Sequence, residues 1–410
     1  MINIAVLGYG TVGSGVFEVI NTNRDIINNN AGEEINIKYV LDLRDFPGDP
    51  VEKVLVHDAD VILNDPEVRV VVEVMGGVEP AYTFVKKALM AGKSVCTSNK
   101  ELVAEHGTQL LKTASENGVN FFFEASCGGG IPIIRPLCTS LTADRIEEIS
   151  GILNGTTNYI LTKMETEGWD FDKALKSAQD NGFAERNPEA DIEGYDACRK
   201  IAILSSLAYG KTIRFEDIYT EGISRITHRD IEYAGKLGCA VKLIASCAYL
   251  GEEEGYCAFV APVMIKKEHP LFPVNGVFNA VFVEGNMLGP AMFYGSGAGK
   301  LPTASAVVGD VVEAVRNLGR TLPVAWSDEK LKLSEIGNIV RRFYVRMEGA
   351  LEERLSAIEK LFGRVNVCRM EDETPDFCFI TEAMAEKTFD EAYSKLEGAL
   401  GRIRVDNLSV

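Results

Sequence analysis

Apolar positions run through this chain in two rhythms, and the switches between them mark out its elements. Residues 2–7 are a short β-prone run, and helical spacing takes over from about 12 to 27. Further strands are predicted at 35–43, 70–74, 94–97 and 119–123, with helical patterning over about 80–90 and from 100 to 116. Strands alternating with helices of this length predict parallel crossover units, hence a doubly wound α/β sheet. Past 124 the rhythm changes. A strand over 149–154, a helix from about 195 and alternating strands at 240–250, 256–263 and 277–284 predict an α+β region with a mixed sheet. The last stretch reads strand 343–347, helix 351–362, strands 364–370 and 377–382, helix 385–399 and strand 403–405, the βαββαβ order of a ferredoxin-like module.

The first strand runs straight into Gly8-Tyr9-Gly10-Thr11-Val12-Gly13 and a helix. That is the context in which a glycine motif binds a dinucleotide, so the first sheet is expected to be of Rossmann type. Gly8 permits the tight turn, Gly10 lets a pyrophosphate approach the backbone, and Gly13 lets helix and strand pack closely. The amides of Thr11, Val12 and Gly13 open a helix whose dipole favours phosphate. The second strand ends in Asp42-Leu-Arg44. An acid there suits the ribose hydroxyl of NAD and an arginine the 2′-phosphate of NADP; with both present the choice stays open. Glu73, Gly76, Ser98 and Lys100 fall at the carboxyl ends of later strands. Lys100 there meets a phosphate, a nicotinamide or a substrate, or else begins its helix in water.

Two further segments carry chemistry. Glu124-Ala-Ser-Cys-Gly-Gly-Gly-Ile-Pro132 reads as a strand end, a triple-glycine turn and a proline-started helix. Its carboxylate and carbonyls could hold a hard cation or simply cap the turn. Residues 185–196 gather Glu185, Glu189, Asp191, Glu193 and Asp196 ahead of Lys200. Asp196 and Lys200 are four apart and share one face of a helix. On a solvated face such a pair is unremarkable. Buried, it is a proton donor with its orienting acid, and the neighbouring acids suit a substrate ammonium.

Composition narrows the classes. With 410 residues the chain is long enough for two or three domains, and 46% hydrophobic with 25% charged residues is ordinary for a globular protein. Forty-two basic residues against 60 acidic ones give a net charge of −18, which argues against nucleic acid and anionic membrane as partners. No targeting segment or apolar run of roughly 18 residues stands out. The nine cysteines are scattered with no CxxC, so reduced thiols in a cytoplasm are expected and a zinc site is not.

Together these stretches resemble homoserine dehydrogenase. The resemblance rests on the glycine motif, Val72-Glu-Val-Met-Gly-Gly77, Thr97-Ser-Asn-Lys100, Glu124 to Pro132, Gly151-Ile-Leu-Asn-Gly-Thr-Thr-Asn-Tyr159 and Ala190-Asp-Ile-Glu-Gly-Tyr-Asp-Ala-Cys-Arg-Lys200. Tyr294-Gly-Ser-Gly-Ala-Gly299 and Pro302 to Asp310 extend it to about residue 320. It implies an NAD(P)-dependent oxidoreductase that interconverts L-aspartate 4-semialdehyde and L-homoserine, on the route to threonine, methionine and isoleucine. Lys200 would be the acid–base group and Lys100 a second active-site lysine near the nicotinamide, the pair helping to lower a lysine pKa. Glu185, Asp191 and Asp196 would bind the substrate. Gly8, Gly10, Thr11, Val12, Gly13, Arg44, Gly76, Ser98, Lys100 and Gly299 would line the cofactor. A Na+ or K+ ion would sit at Glu124 with the carbonyls of Cys127, Gly129 and Ile131.

The implied domains are a dinucleotide-binding domain over 1–125, rejoined by about 301–320, a catalytic and dimerisation domain over 126–300, and an ACT-like regulatory domain over 341–410. A homodimer or homotetramer is expected, with threonine as a candidate effector of the tail. Ligand-binding ACT modules carry a PG turn after the first strand. Here the turn is Glu348-Gly349-Ala350-Leu351, without proline, so a purely dimerising role is the alternative. No segment matches the aspartate kinase of bifunctional relatives.

Overall fold

The computed structural model describes residues 1–372 and 374–406. They divide into two compact units. One comprises Met1–Ala143, Ala202–Arg214 and Phe293–Lys330; the other comprises Asp144–Ile201, Phe215–Met292 and the chain from Leu331 onward.

The first unit carries six parallel strands. In chain order they are Ile2–Leu7, Ile35–Leu41, Leu55–Val56, Val68–Glu73, Ser94–Thr97 and Phe121–Phe122, and in space they run 3-2-1-4-5-6. This is the strand order of dinucleotide-binding folds, with its switch point between the first and fourth strands. The strands are continuous apolar runs because helices cover both faces. Ile4, Val6, Val70 and Val72 are fully buried against Val16 and Ile20 of helix Thr11–Thr22 and Val307 and Val311 of helix Lys300–Arg316.

Several boundaries differ from expectation. The helix expected over 12–27 breaks at Asn23, which leaves helical dihedrals, and resumes as Arg24–Ala31. The Asn-Thr-Asn run at 21–23 explains the break, since short polar side chains compete for backbone hydrogen bonds. The strand expected over 119–123 shrinks to Phe121–Phe122, as Asn120 and Glu124 turn instead to Leu322 and Asp310. The glycine-rich stretch is not a plain turn before a proline-started helix. Gly128 closes a short helix, Ala125–Gly128, and the next helix, Ile134–Thr139, begins two residues after Pro132.

The second unit is built on a mixed sheet. Ile146–Ile152 lies between Phe278–Gly285 and Cys239–Gly251, and the latter pairs antiparallel along its length with Gly255–Lys266. An edge strand, Gly289–Ser296, whose residues divide between the two units at Met292 and Phe293, was not anticipated, because its glycines and proline conceal the alternation. The tail strands follow in the order Ala399–Val405, Val340–Glu348, Asp376–Thr381 and Val365–Cys368, with helices Leu351–Phe362 and Glu386–Tyr393. That is the ferredoxin-like arrangement.

The tail sheet continues the central one through parallel pairing of Val263 with Arg404 and Met264 with Val405. Buried charges lock the junction. Arg404 pairs with Glu386 and, at 2.6 Å, with Glu221, and its guanidinium lies 4.7 Å from the Tyr219 ring centre. Arg229 of helix His228–Lys236 clamps Asp372 at 2.6 Å and Asp376 at 2.8 Å, and Arg346 meets Asp230 at 2.8 Å. Arg404 with Glu386 and Arg346 with Asp230 are buried, and charges so placed cost several kcal/mol each unless paired, so removing one of these partners is expected to hurt far more than the pair stabilises; the Arg229–Asp372 contact is solvent-exposed. Among the described residues no helix is long and apolar enough to cross a membrane.

Candidate active site

At the switch point the backbone does most of the shaping. Gly8 has φ +99°, and a Cβ at Gly13 would stand 2.0 Å from the Gly8 carbonyl oxygen, so neither position accepts a side chain. Gly10 faces open space and precedes helix Thr11–Thr22, whose first turn has no side-chain cap. Uncapped amides at an open glycine turn fit a pyrophosphate. Gly76 is likewise open, with φ +83°.

Asp42 and Arg44 point the same way, as their spacing suggested, and bind each other. Asp42 accepts from Arg44 Nε at 3.0 Å, Arg44 Nη2 at 2.9 Å, the Arg44 amide at 3.0 Å and the Tyr9 amide at 2.8 Å. The Arg44 guanidinium, foremost, holds this carboxyl well below the usual range. A carboxylate has about four acceptor sites, and all are occupied here. The Arg44 side chain is itself 63% exposed.

A second network, not foreseen, orders the loops after the fourth and fifth strands. Glu73 is fully buried; it accepts the Thr97 hydroxyl at 2.6 Å and the Met75 amide at 2.8 Å. Burial pushes its carboxyl up, against these hydrogen bonds. Thr97 accepts the Asn99 amide, and Asn99 donates to the Gly77 carbonyl and caps helix Lys100–Glu116 at Leu102. Lys100, half-buried, is the first residue of that helix, and Ser98 lies in the same loop. A glutamate inside an otherwise apolar strand was the available signal.

The Glu124 turn is bound up in its own backbone. Its carboxylate accepts the amides of Ile133, Ile134 and Arg135 at 2.5 to 2.7 Å and so caps helix Ile134–Thr139. The Glu124 amide donates to buried Asp310, which also holds Arg135. A Cβ on Gly129 would meet the Gly297 carbonyl at 2.3 Å, and Gly130 donates to Ser296, so this turn packs on the loop leading to Gly299. With three amides on the Glu124 side chain, a cation would depend on main-chain oxygens, including those of Cys127, Gly129 and Ile131. Among the described residues no cluster of three or more His, Cys, Asp or Glu side chains has metal-binding geometry.

In the second unit the helix beginning at Tyr195 brings Asp196 and Lys200 inward. Lys200 Nζ lies 2.7 Å from Asp196 Oδ2 and donates to the Leu153 carbonyl at 2.7 Å; the two side chains are 10% and 6% exposed. The solvated-face alternative is thereby set aside. Asn154 organises the cluster. Its Oδ1 accepts the Thr157 amide, which orients Nδ2 toward Asp191 at 2.7 Å and Asp196 at 2.9 Å. Asn154 stood within the Gly151–Tyr159 motif but was given no role there. Glu185 is exposed, and among the described residues its carboxylate takes no hydrogen bond.

A 3-2-1-4-5-6 parallel sheet with an open glycine turn, in a chain that also buries a lysine–carboxylate pair, defines an NAD(P)-dependent oxidoreductase. Residues 8–124 match the family model described as homoserine dehydrogenase, NAD binding domain, and residues 132–312 the one described as homoserine dehydrogenase. The chain belongs to the homoserine dehydrogenase family. It is 43% identical over 359 residues to the homoserine dehydrogenase of Synechocystis, covering 84% of this chain and 82% of that protein. It superposes on the crystal structure of a homoserine dehydrogenase from Thiobacillus denitrificans with TM-score 0.90 and 36% identity, over 100% and 99% of the two chains. A hyperthermophilic archaeal homoserine dehydrogenase mutant in complex with NADPH matches at TM-score 0.65 and 30% identity, over 76% of this chain and 97% of that one.

Proposed function

We propose that Lys200 is the general acid–base group of a homoserine dehydrogenase, protonating the forming alkoxide as L-aspartate 4-semialdehyde becomes L-homoserine and taking that proton back in reverse. The observation that carries this reading is the buried contact of 2.7 Å between Lys200 and Asp196, itself fixed by Asn154. A buried ion pair contributes little net stability, so its retention beside further acids points to chemistry. The cofactor, when bound, supplies or accepts the hydride. Asp196 orients Lys200, and Asp191 with Glu185 receives the substrate ammonium, Glu185 from the exposed side. Lys100, positioned through Asn99, serves the nicotinamide end.

NADP is the cofactor we infer. Asp42 has no acceptor site left for a ribose hydroxyl, whereas the exposed Arg44 guanidinium suits a 2′-phosphate. Arg44→Ala is expected to raise KM for NADPH about tenfold or more, the worth of a charge-assisted hydrogen bond, and to leave NADH unaffected. A bound Na+ or K+ would take carbonyl oxygens of the Glu124–Ile131 turn and stiffen it. The domain scheme and the ACT-like role of the tail are part of the same reading, with a homodimer or homotetramer in a cytoplasm. Threonine, as effector, is tested by its effect on turnover at millimolar concentration; an unresponsive enzyme leaves dimerisation as the role of the tail.

The deciding experiment is oxidation of NADPH and NADH by the purified protein with L-aspartate 4-semialdehyde. Turnover with this aldehyde and none with a simple aliphatic aldehyde is expected. Equal turnover of both, or of neither, would overturn the assignment.

A further inference from the structure

The ferredoxin-like end of the sheet holds a pair of thiols that the dehydrogenase chemistry does not use. Cys368 ends the edge strand Val365–Cys368, and Cys378 lies in its neighbour Asp376–Thr381. Their Cα atoms are direct antiparallel partners. Cys378 is fully buried and Cys368 half-buried on the edge strand. The side chains meet: burial first, and then the Cys368 sulfur beside it, keeps the Cys378 thiol protonated. All nine cysteines are thiols in the structure.

Register decides what such a pair can do. Directly opposed residues of an antiparallel ladder have Cα atoms about 4.5 or 5.5 Å apart, depending on the ladder site. Both spacings fall within the 4.4–6.8 Å spanned by disulfides. The Cβ atoms of opposed residues stand about 4.5–5.5 Å apart, slightly wider than a relaxed disulfide prefers. A bond here would form without re-registering the strands and would carry some strain. Strained disulfides are the easily reduced, reversible ones.

We propose that Cys368 and Cys378 are a modification site, oxidised by a low-molecular-weight disulfide to an internal, reversible cystine across the two strands. Cys368, on the open edge, attacks one sulfur of the incoming disulfide as its thiolate; a mixed disulfide forms and one small thiol leaves. The Cys378 sulfur then attacks the Cys368 sulfur as its proton passes to the departing small thiolate, closing the internal bond and releasing the second small thiol. Two protein thiols are oxidised, and one small disulfide is reduced to two thiols.

The bond would pin the base of the loop whose Asp372, with Asp376, clamps Arg229, and whose Arg369 carbonyl accepts Lys236. It would thereby tighten the hold of the ferredoxin-like sheet on helix His228–Lys236.

The test uses the full reduced chain, exposed to graded ratios of oxidised to reduced glutathione, then alkylated and mapped without reduction. Cross-linked peptides joining Cys368 to Cys378 are expected before any of the other cysteines loses its label, with full reversal by dithiothreitol. Cys368→Ser, on the edge strand, should fold as the parent does by its thermal transition and form no bridge. A stable glutathione adduct on Cys368 with Cys378 still a thiol, or persistence of both thiols under oxidation, would overturn the proposal. So would a bridge at Cys378 in the Cys368→Ser protein.

Discussion

The glycine turn of the first unit and the lysine cluster of the second solve opposite problems with opposite materials. At residues 8–13 the work falls to main chain: a positive φ at Gly8, an open Gly10, and a Gly13 that lets helix and strand touch. At Lys200 it falls to side chains: an ammonium, two carboxylates and an amide, nearly all buried and each held by another. A dinucleotide presents the same phosphates whatever the reaction, so amides and a helix end suffice. A proton transfer needs a charge whose surroundings are fixed, and that requires partners away from water. The first region should therefore fail when atoms are added, and the second when charges are removed.

Asp196→Ala should give the largest loss of the three changes that break this comparison. It leaves the buried Lys200 ammonium without its 2.7 Å partner, and turnover should fall about 100- to 1000-fold, with NADPH affinity retained. Steady-state kinetics with direct cofactor titration measures both, and an unchanged turnover would remove Asp196 from the mechanism. Gly13→Ala comes next. Its Cβ cannot coexist with the Gly8 carbonyl 2.0 Å away, so the turn must open, at about 1–3 kcal/mol. Cofactor affinity should drop roughly 10- to 100-fold, readable by fluorescence titration, while the charge cluster of the second unit keeps its chemistry.

The smallest effect on turnover concerns Lys242, a buried lysine whose ammonium donates to two carbonyl oxygens, with the Glu165 charge a secondary influence. Its Nζ donates to the Val274 carbonyl at 2.8 Å and Asn275 Oδ1 at 2.6 Å, and burial pulls its pKa down from 10.5 to about 8. Between those two values the unfolded chain binds more protons than the folded one, so stability contributed by this site rises with pH across that window and is lowest below it. The span is on the order of 3 kcal/mol. Denaturant melts from pH 8 upward should show that rise, and Lys242→Met should flatten it with turnover unaltered. A melt as steep in the variant as in the parent would assign the rise elsewhere.

The sequence carried these regions unequally. The glycine turn was readable because steric rules act on neighbours in the chain: a strand, three glycines and a helix leave few alternatives. Asp196 and Lys200 were readable as a pair through helical spacing, but their burial was not, since a helix face declares its partner only in three dimensions. Asn154 is far in sequence from Asp191 and Lys200, and they meet through the strand–helix junction at Leu153 and Asn154. Glu73 was visible as a glutamate at a strand end, but its hold on Thr97 depends on the pairing of two parallel strands. The tail topology could be followed element by element. Its fusion to the central sheet rests on two residue pairs and a set of buried arginines, which no local pattern encodes.

On the proposed reading Lys200 moves the proton. Turnover of Lys200→Ala with NADPH and L-aspartate 4-semialdehyde, measured alongside NADPH affinity, tests it most directly. A fall in kcat of roughly two to four orders of magnitude with cofactor binding intact is expected. A Lys200→Ala enzyme turning over at close to the parent rate would contradict it.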